Sequence, residues 1–156
     1  MIIKSLYGKQ AIPIDAVKHY VKELFEGLEQ MHSRGVCHRD LKPENILLKN
    51  VEDFKLSKFD VRNFKVKIAD VGSSKQLEIE ESKNTPYVVS RFYRAPELIL
   101  GAKHYDTSID IWAAGVIMFE LLTRTPLFPG EDEGIQIYEY AQVLGHPTAK
   151  DKTYLV

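Results

Sequence analysis

The sequence has little cysteine and no long apolar run. Its single cysteine, Cys37, cannot form an internal disulfide, which excludes a disulfide-stapled secreted scaffold. No stretch approaches about 18 consecutive apolar residues, so no membrane-spanning helix is predicted. The opening residues, MIIKSLYGKQ, also lack the charged and apolar regions of a signal peptide. We therefore expect an intracellular protein, located in the cytoplasm, the nucleus or both.

Basic and acidic side chains are nearly equal in number. There are 21 basic and 22 acidic side chains, giving a net charge of −1, so the chain as a whole is not attracted to nucleic acid or to an anionic membrane. Apolar residues make up 44% and charged residues 28%, close to the averages of soluble globular proteins, which excludes disorder and collagen-like repeats. Any polyanion must therefore be bound by a local site.

Hydrophobic periodicity predicts three helices. Apolar residues recur at helical spacing from Ile14 to Arg34, with Pro13 before the first turn and Gly35 after the last. The almost continuous apolar run over Ile109–Thr123 predicts a helix buried on most sides. A third, amphipathic helix is predicted over Ile135–Leu144.

Two short runs, Ile46–Lys49 and Phe64–Ala69, have the composition of strands and predict a β-hairpin. Their connector, residues 50–63, is long for a hairpin. The preceding segment, VCHRDLKPEN, is predicted to be an irregular loop, and residues 70–97 are predicted to form a long surface segment. The sequence thus indicates a mainly α fold with a small β-hairpin.

If the two strands pair, four polar side chains converge at the end of the hairpin opposite the connector: Asp40, Lys42, Asn45 and Asp70. Carboxylate and amide oxygens are ligands that Mg²⁺ prefers. A lysine can neutralise a phosphate, and an aspartate can act as a base. Taken singly, each residue has a bland interpretation, because a loop aspartate is more often a helix cap or a solvated charge. The hypothesis of a site for Mg²⁺ and phosphate therefore rests on the order and spacing of the four residues.

That order resembles the C-terminal lobe of the eukaryotic protein kinases. HRDLKPEN is followed by Asp70-Val71-Gly72, then by Ala95-Pro96-Glu97, and then by DIWAAG. SRFYRAPELILG and VLGHPT are similar to the CMGC group, which contains the mitogen-activated and cyclin-dependent kinases. GSSKQL and the segment before HRD resemble the glycogen synthase kinases most, with the mitogen-activated kinases next.

The resemblance implies that residues 1–156 are a partial protein kinase domain, from the helix before the catalytic loop to the helix after the FPG loop. The upper lobe, which makes the complete family domain α+β, is absent from it. The implied function is ATP- and Mg²⁺-dependent phosphorylation of serine or threonine in protein substrates, with scaffold proteins binding at the C-terminal helix. The alternative is a non-catalytic pseudokinase or scaffold-binding fragment. Neither nucleic acid nor membrane is an expected partner.

The resemblance also implies roles for individual residues. Asp40 would accept or orient the proton of the substrate hydroxyl, Lys42 would contact the γ-phosphate, and Ser90 would pair with both. A lysine two positions after the catalytic aspartate is the pattern of serine/threonine kinases. The ATP-binding residues would be Asn45 and Asp70, through Mg²⁺, and Leu47, beneath the adenine.

Further roles concern phosphate groups other than those of ATP. Tyr87 is placed as the activation-loop tyrosine, whose phosphate would pair with Arg91 and Arg94. Spacing alone favours a partly buried aromatic at Tyr87, and it is the resemblance that favours the activation-loop tyrosine. Arg39 and Lys75 match two of the three basic residues that, in glycogen synthase kinases, receive a phosphate already present on the substrate.

Three departures from the family pattern stand out. Val71 replaces the usual phenylalanine after the metal-binding aspartate, and the connector at residues 50–63 is longer than usual. The glycine-rich loop, the strand lysine and the glutamate-bearing helix of the upper lobe are not present in the 156 residues. Because phosphoryl transfer needs these parts, we expect the chain alone to transfer little phosphate and to have a marginal, aggregation-prone fold.

Overall fold

The computed structural model describes residues 3–50, 60–77, 91–102 and 104–149. Within these residues the chain is mainly helical, with two small antiparallel sheets, as the sequence predicts. The helices are α1 (Ile3–Tyr7), α2 (Ile14–His32), α3 (Pro96–Ile99), α4 (Ser108–Thr123) and α5 (Glu133–Leu144). The strands are β1 (Val36–Cys37), β2 (Ile46–Asn50), β3 (Phe64–Ile68) and β4 (Lys75–Gln76).

Helix α2 confirms the longest helix predicted from the sequence. It begins directly after Pro13 and ends at His32, two residues earlier than predicted. Gly35 follows in the left-handed region, with φ +69°, which a residue without a side chain adopts at little cost. The side chains that α2 buries are Ala16, Val17, Tyr20, Leu24 and Leu28. They pack against β3 and α4, so α2 supports the hairpin from below.

The predicted hairpin forms from β2 and β3. Ile46 pairs with Ile68 at one end of the ladder, and Asn50 pairs with Phe64 at the other. Ile46 and Leu48 are buried, whereas Leu47 between them is half-buried, as the alternation of a strand requires. Residues 51–59 of the long connector lie outside the described residues. The ladder fixes which residues lie at the end opposite the connector.

A second sheet was not predicted. Val36 pairs with Gln76, and Cys37 pairs with Lys75. The expectation of an irregular loop from Val36 onward is therefore wrong for its first two residues, and residues 75–76, within the predicted surface segment, form a strand. Strands of two residues are too short to leave a periodic signal in the sequence.

Helix α4 occurs where predicted, but the expectation that it is buried on most sides is wrong for one face. Ile109, Ala113, Ala114, Val116, Ile117 and Leu121 are buried. On another face Ile111, Met118 and Leu122 are each at least 40% exposed. A continuous apolar run has no polar side, so its periodicity cannot tell which face is covered.

The main core lies where α2, α4 and the hairpin meet, and it is joined by Phe128 and Tyr140 from the C-terminal part. A smaller cluster contains Cys37, Ala95 and Ile109, with Tyr105 packed against it. In the described part of the chain, no helix combines the length and the apolar character needed to cross a membrane.

Candidate active site

A buried carboxylate anchors the catalytic loop, residues 38–45. Asp110, in the first turn of α4, is 1% exposed. Its Oδ2 accepts the backbone N–H of His38 at 2.7 Å, and its Oδ1 accepts that of Arg39 at 2.9 Å. His32 Nε2 lies 2.9 Å from Oδ2, and the Cys37 thiol donates to the same oxygen at 3.3 Å. The thiol is also fully buried, and burial together with Asp110 raises its pKa.

His38 and Arg39 determine the backbone conformation at the start of the catalytic loop. The His38 side chain is buried, with Nε2 3.0 Å from the carbonyl oxygen of Ala69 at the end of β3. Its Nδ1 accepts the backbone N–H of Asp40 at 3.3 Å. Arg39 has a φ of +70°, a left-handed conformation that is uncommon for a residue with a side chain. The contacts of its backbone N–H with Asp110 hold it there.

Asp40, Lys42 and Asn45 are in direct contact. Lys42 Nζ lies 2.9 Å from Asp40 Oδ2, and the two side chains are only 21% and 11% exposed. Asn45 Nδ2 donates to the carbonyl oxygen of Asp40 at 2.8 Å and to its Oδ2 at 3.4 Å. A charge-assisted hydrogen bond in a partly buried place fixes the carboxylate more firmly than a surface ion pair does.

Asn45 and Asp70 are adjacent at the end of the hairpin. The backbone N–H of Ala69 donates to the Asn45 carbonyl oxygen at 2.8 Å, so Asp70 follows directly beside Asn45. Asp70 is exposed, has a φ of +61°, and forms no hydrogen bond or ion pair with any described residue. The four predicted residues therefore occupy one edge, as expected from the strand pairing.

The side chains of Asn45 and Asp70 are suited to binding a hard cation. The Nδ2 group of Asn45 is used by Asp40, which leaves its Oδ1 as an acceptor, and the Asp70 carboxylate is unpaired in the described chain. The described residues contain no group of three or more His, Cys, Asp or Glu that could enclose a metal. Mg²⁺ does not require such a cage, because it keeps several waters and binds substrate phosphates. Leu47 is half-buried on β2, one position after Ile46.

Arg39 and Lys75 lie where β1 leads into the catalytic loop and pairs with β4. Arg39 Nε donates to the carbonyl oxygen of Ser73 at 2.5 Å, and Nη1 donates to the hydroxyl of Tyr105 at 3.3 Å. Lys75 faces Cys37 across the β1–β4 ladder and forms no ion pair with a described residue. Sequence reasoning missed Tyr105, which belongs to no motif, and Ser73, which contributes only its backbone carbonyl.

Arg91 and Arg94 are close to each other and to the loop before α5. Arg91 Nη1 donates to the carbonyl oxygen of Glu131 at 3.2 Å. Burial, and then the charge of Arg91, lower the pKa of Arg94. The Tyr140 hydroxyl donates to the backbone carbonyl of Arg94 at 2.6 Å. Tyr87 and Ser90 lie outside the described residues, so their predicted roles stay predictions.

A buried pair that the sequence did not single out connects this segment to α4. The Tyr93 hydroxyl donates to Glu120 Oε2 at 2.6 Å, and both residues are buried. Burial, and then the hydrogen bond to Glu120, raise the pKa of Tyr93. One signal could have revealed the pair: Glu120 is a charged residue inside an otherwise apolar helix, and a buried charge needs a partner.

The sequence matches the family described as protein kinase domain over residues 2–153. Glycogen synthase kinase 1 of Pyricularia oryzae is 46% identical over 140 residues, which are 90% of this chain. They are 32% of the relative, so the chain spans about a third of the length of the curated relative that it matches.

Proposed function

The chain belongs to the protein kinase family, and from this premise we propose that it is the lower catalytic lobe of an ATP- and Mg²⁺-dependent serine/threonine protein kinase. The observation that carries the proposal is the contact of Asp40 with Lys42 and Asn45 beside an unpaired Asp70. Its similarity to a glycogen synthase kinase supports the serine/threonine assignment.

The proposed chemistry uses fixed charges. Phosphoryl transfer depends mainly on positioning and on electrostatic stabilisation of the three equatorial oxygens. Lys42 and Asn45 hold the Asp40 carboxylate so that it can accept the proton of an incoming serine or threonine hydroxyl. Lys42 also supplies positive charge at the place where the transferred phosphate becomes more negative. Asp40 and Lys42 therefore act as one unit.

Asn45 Oδ1 and the Asp70 carboxylate would hold Mg²⁺, and Leu47 would lie beneath the adenine. When bound, Mg²⁺ neutralises phosphate charge and orients the phosphates of ATP. The chain contributes two oxygen ligands at the end of a rigid ladder, whose last hydrogen bond joins Ala69 to Asn45. Val71 is 61% exposed directly after Asp70, so the replacement of phenylalanine leaves the carboxylate itself unchanged.

Arg39 and Lys75 are proposed to bind a phosphate on a protein substrate, and Arg91 and Arg94 to bind phosphorylated Tyr87. Both pairs lie near the catalytic loop: Arg39 is the residue before Asp40, and Asp40 raises the pKa of Arg94 against the larger effect of burial. Two cations close together favour a dianionic phosphate over a carboxylate.

A radiolabel transfer assay tests the proposal. The chain is joined to the N-terminal lobe of the fungal relative, which supplies the parts that the resemblance assigns to the upper lobe. We expect Mg²⁺-dependent labelling of serine and threonine in a generic protein substrate, and Asp40→Asn lowers it at least about 100-fold. Asp15→Asn, an exposed carboxylate on α2, is the control. Labelling of tyrosine alone, or equal activity of Asp40→Asn, contradicts the proposal.

The chain by itself is proposed to transfer little phosphate. A rate for the separate chain equal to that of the joined protein contradicts this.

A second function is favoured by α5, where Ile135, Tyr138, Val143 and Leu144 are all more than 40% exposed. Exposed apolar side chains of this kind are typical of a protein-binding surface, and here α5 would bind a scaffold protein. If the joined protein is inactive but binds scaffolds through α5, the chain is a non-catalytic binding fragment.

A further inference from the structure

One contact of Arg39 lies outside the kinase motifs: its guanidinium meets the hydroxyl of Tyr105. We propose that Tyr105 is a positioning residue, which holds the Arg39 guanidinium ready to receive a phosphate monoester carried by the protein substrate. The inference rests on the proposed function, and it adds a residue to the site that selects the substrate.

The guanidinium is fixed at two points. Nε donates to the carbonyl oxygen of Ser73 at 2.5 Å, and Nη1 donates to the Tyr105 hydroxyl at 3.3 Å. A guanidinium has five N–H donors in one rigid plane, so two fixed donors determine where the other three point. Arg39 has no further partner in the described part of the chain, and those three donors remain for a ligand.

Tyr105 can do this because its ring is anchored. The ring packs against the small cluster of Cys37, Ala95 and Ile109. Asp110, a few residues later, holds the backbone N–H of Arg39 at 2.9 Å. Both the backbone and the side chain of Arg39 are therefore held by one short segment at the start of α4.

The ligand is assigned from charge. Lys75 lies on β4, two residues after Ser73, whose carbonyl oxygen accepts from Arg39 Nε, and its amino group forms no ion pair with a described residue. The positive charges of these two residues suit a phosphate monoester of about −1.5 to −2 charges. An arginine that is already ordered loses less side-chain entropy when the phosphate binds.

The test compares phosphate selectivity in three forms of the full chain: wild type, Tyr105→Phe and Tyr7→Phe. Tyr105→Phe removes only the hydroxyl and keeps the packed ring. Tyr7, on α1, is the matched control, because Tyr7→Phe also removes one hydroxyl, whose hydrogen bond at 3.1 Å is to the Tyr20 hydroxyl. Fluorescence anisotropy gives the Kd of a phosphoserine peptide and of its unphosphorylated twin. The unphosphorylated chain is used, so the only phosphate is that of the peptide.

We expect wild type to bind the phosphoserine peptide more tightly than its twin. Tyr105→Phe reduces the ratio of the two Kd values by roughly three- to tenfold, as the loss of one hydrogen bond to a charged group predicts. Tyr7→Phe leaves the ratio unchanged. A purely structural role would weaken both peptides equally, so the ratio reports on phosphate recognition.

A second measurement follows the Nε–H resonance of Arg39 in wild type and Tyr105→Phe by nitrogen-resolved NMR. We expect this resonance to shift on addition of phosphoserine, and to exchange faster with water in the variant. An unchanged Kd ratio in Tyr105→Phe overturns the inference, as does a wild-type ratio of one.

The transfer assay with the joined protein separates this inference from the proposed function. Asp40-dependent transfer by the joined protein, together with an unchanged Kd ratio in Tyr105→Phe, overturns the role of Tyr105 alone. No Asp40-dependent transfer, together with a reduced Kd ratio in Tyr105→Phe, overturns the proposed function and leaves Tyr105 as a phosphate-positioning residue.

Discussion

The carboxylate of Asp110 accepts two backbone N–H groups, from His38 and Arg39, that are 72 and 71 positions away in sequence. A contact between such distant residues is visible only in the fold. Asp110 thus braces the catalytic loop, but its contacts with His32 and Cys37 could not be predicted from the sequence, because these residues are 78 and 73 positions away from it.

Asp110→Ala is expected to lower the free energy of unfolding by about 3–5 kcal/mol. The substitution leaves two buried backbone N–H groups without an acceptor, each costing roughly 1–3 kcal/mol. Urea unfolding followed by circular dichroism measures the change. Asp15→Ala, whose carboxylate is 86% exposed, is the control and is expected to stay within about 0.5 kcal/mol of wild type. Equal effects of the two substitutions would contradict the bracing role.

Buried tyrosines predict a loss of stability at high pH. Burial raises the pKa of Tyr140 to about 12, and it also raises the pKa of Tyr93. Because the folded state holds these protons more tightly than the unfolded chain does, their stabilisation is complete below about pH 10 and is lost as pH rises toward the folded pKa. Urea midpoints between pH 8 and 12 test this, with tyrosinate absorbance recorded in parallel.

Tyr140→Phe is the control, because it removes one titrating hydroxyl and keeps its ring in contact with Phe128. We expect the stability of this variant to fall less steeply above pH 10. A wild-type protein that is equally stable at pH 8 and pH 12 would contradict the assignment.

At the scale of elements, the sequence predicts a helix or strand correctly where the regular spacing of apolar residues extends over many positions. Helix α2 and the hairpin of β2 and β3 occur where expected, because their apolar spacing extends over several residues. The β1–β4 pair, α1 and α3 were missed, since each contains five residues or fewer. The sidedness of α4 could not be predicted either, because its covered face is decided by α2.

Gly130 shows how the loop before α5 is fixed. A Cβ at this position would lie 2.5 Å from the Cα and Oε1 of Gln136, which is fully buried. Gly130→Ala is therefore expected to destabilise the fold by about 1–3 kcal/mol, since the backbone of α5 must move. The matched control is Gly115→Ala in α4, where a Cβ meets nothing within 4 Å. It is expected to stabilise by about 0.5–1 kcal/mol. Thermal melts that show the same sign for both substitutions would contradict this account.

At the scale of the whole molecule, the exposed face of α4 predicts self-association. Ile111, Met118 and Leu122 form an apolar stripe that no described residue covers, and such surfaces favour aggregation. Met118→Gln combined with Leu122→Gln is expected to reduce light scattering at high protein concentration while changing the free energy of unfolding by less than about 1 kcal/mol. Ile117→Gln, at a residue only 1% exposed, is the control and is expected to unfold the chain. Unchanged scattering in the double variant would contradict the prediction.

The candidate site likewise contains residues whose proximity could be predicted from the sequence and residues whose proximity could not. The convergence of Asp40, Lys42, Asn45 and Asp70 could be predicted, because strand pairing alone brings them to one edge. Tyr105 and Ser73 could not, because their contacts with Arg39 depend on how the loop before α4 folds back over the catalytic loop.

The hairpin of β2 and β3 keeps the candidate site and the long connector at opposite ends. Asn45 and Asp70 flank the last rung at one end, and the long connector joins Asn50 to Asp60 at the other. Five residues of strand set these ends roughly 14–17 Å apart. The exposed strand end at Lys49 and Asn50 is therefore an attachment point, where a fluorescent label or an affinity tag can be introduced at this distance from the catalytic edge.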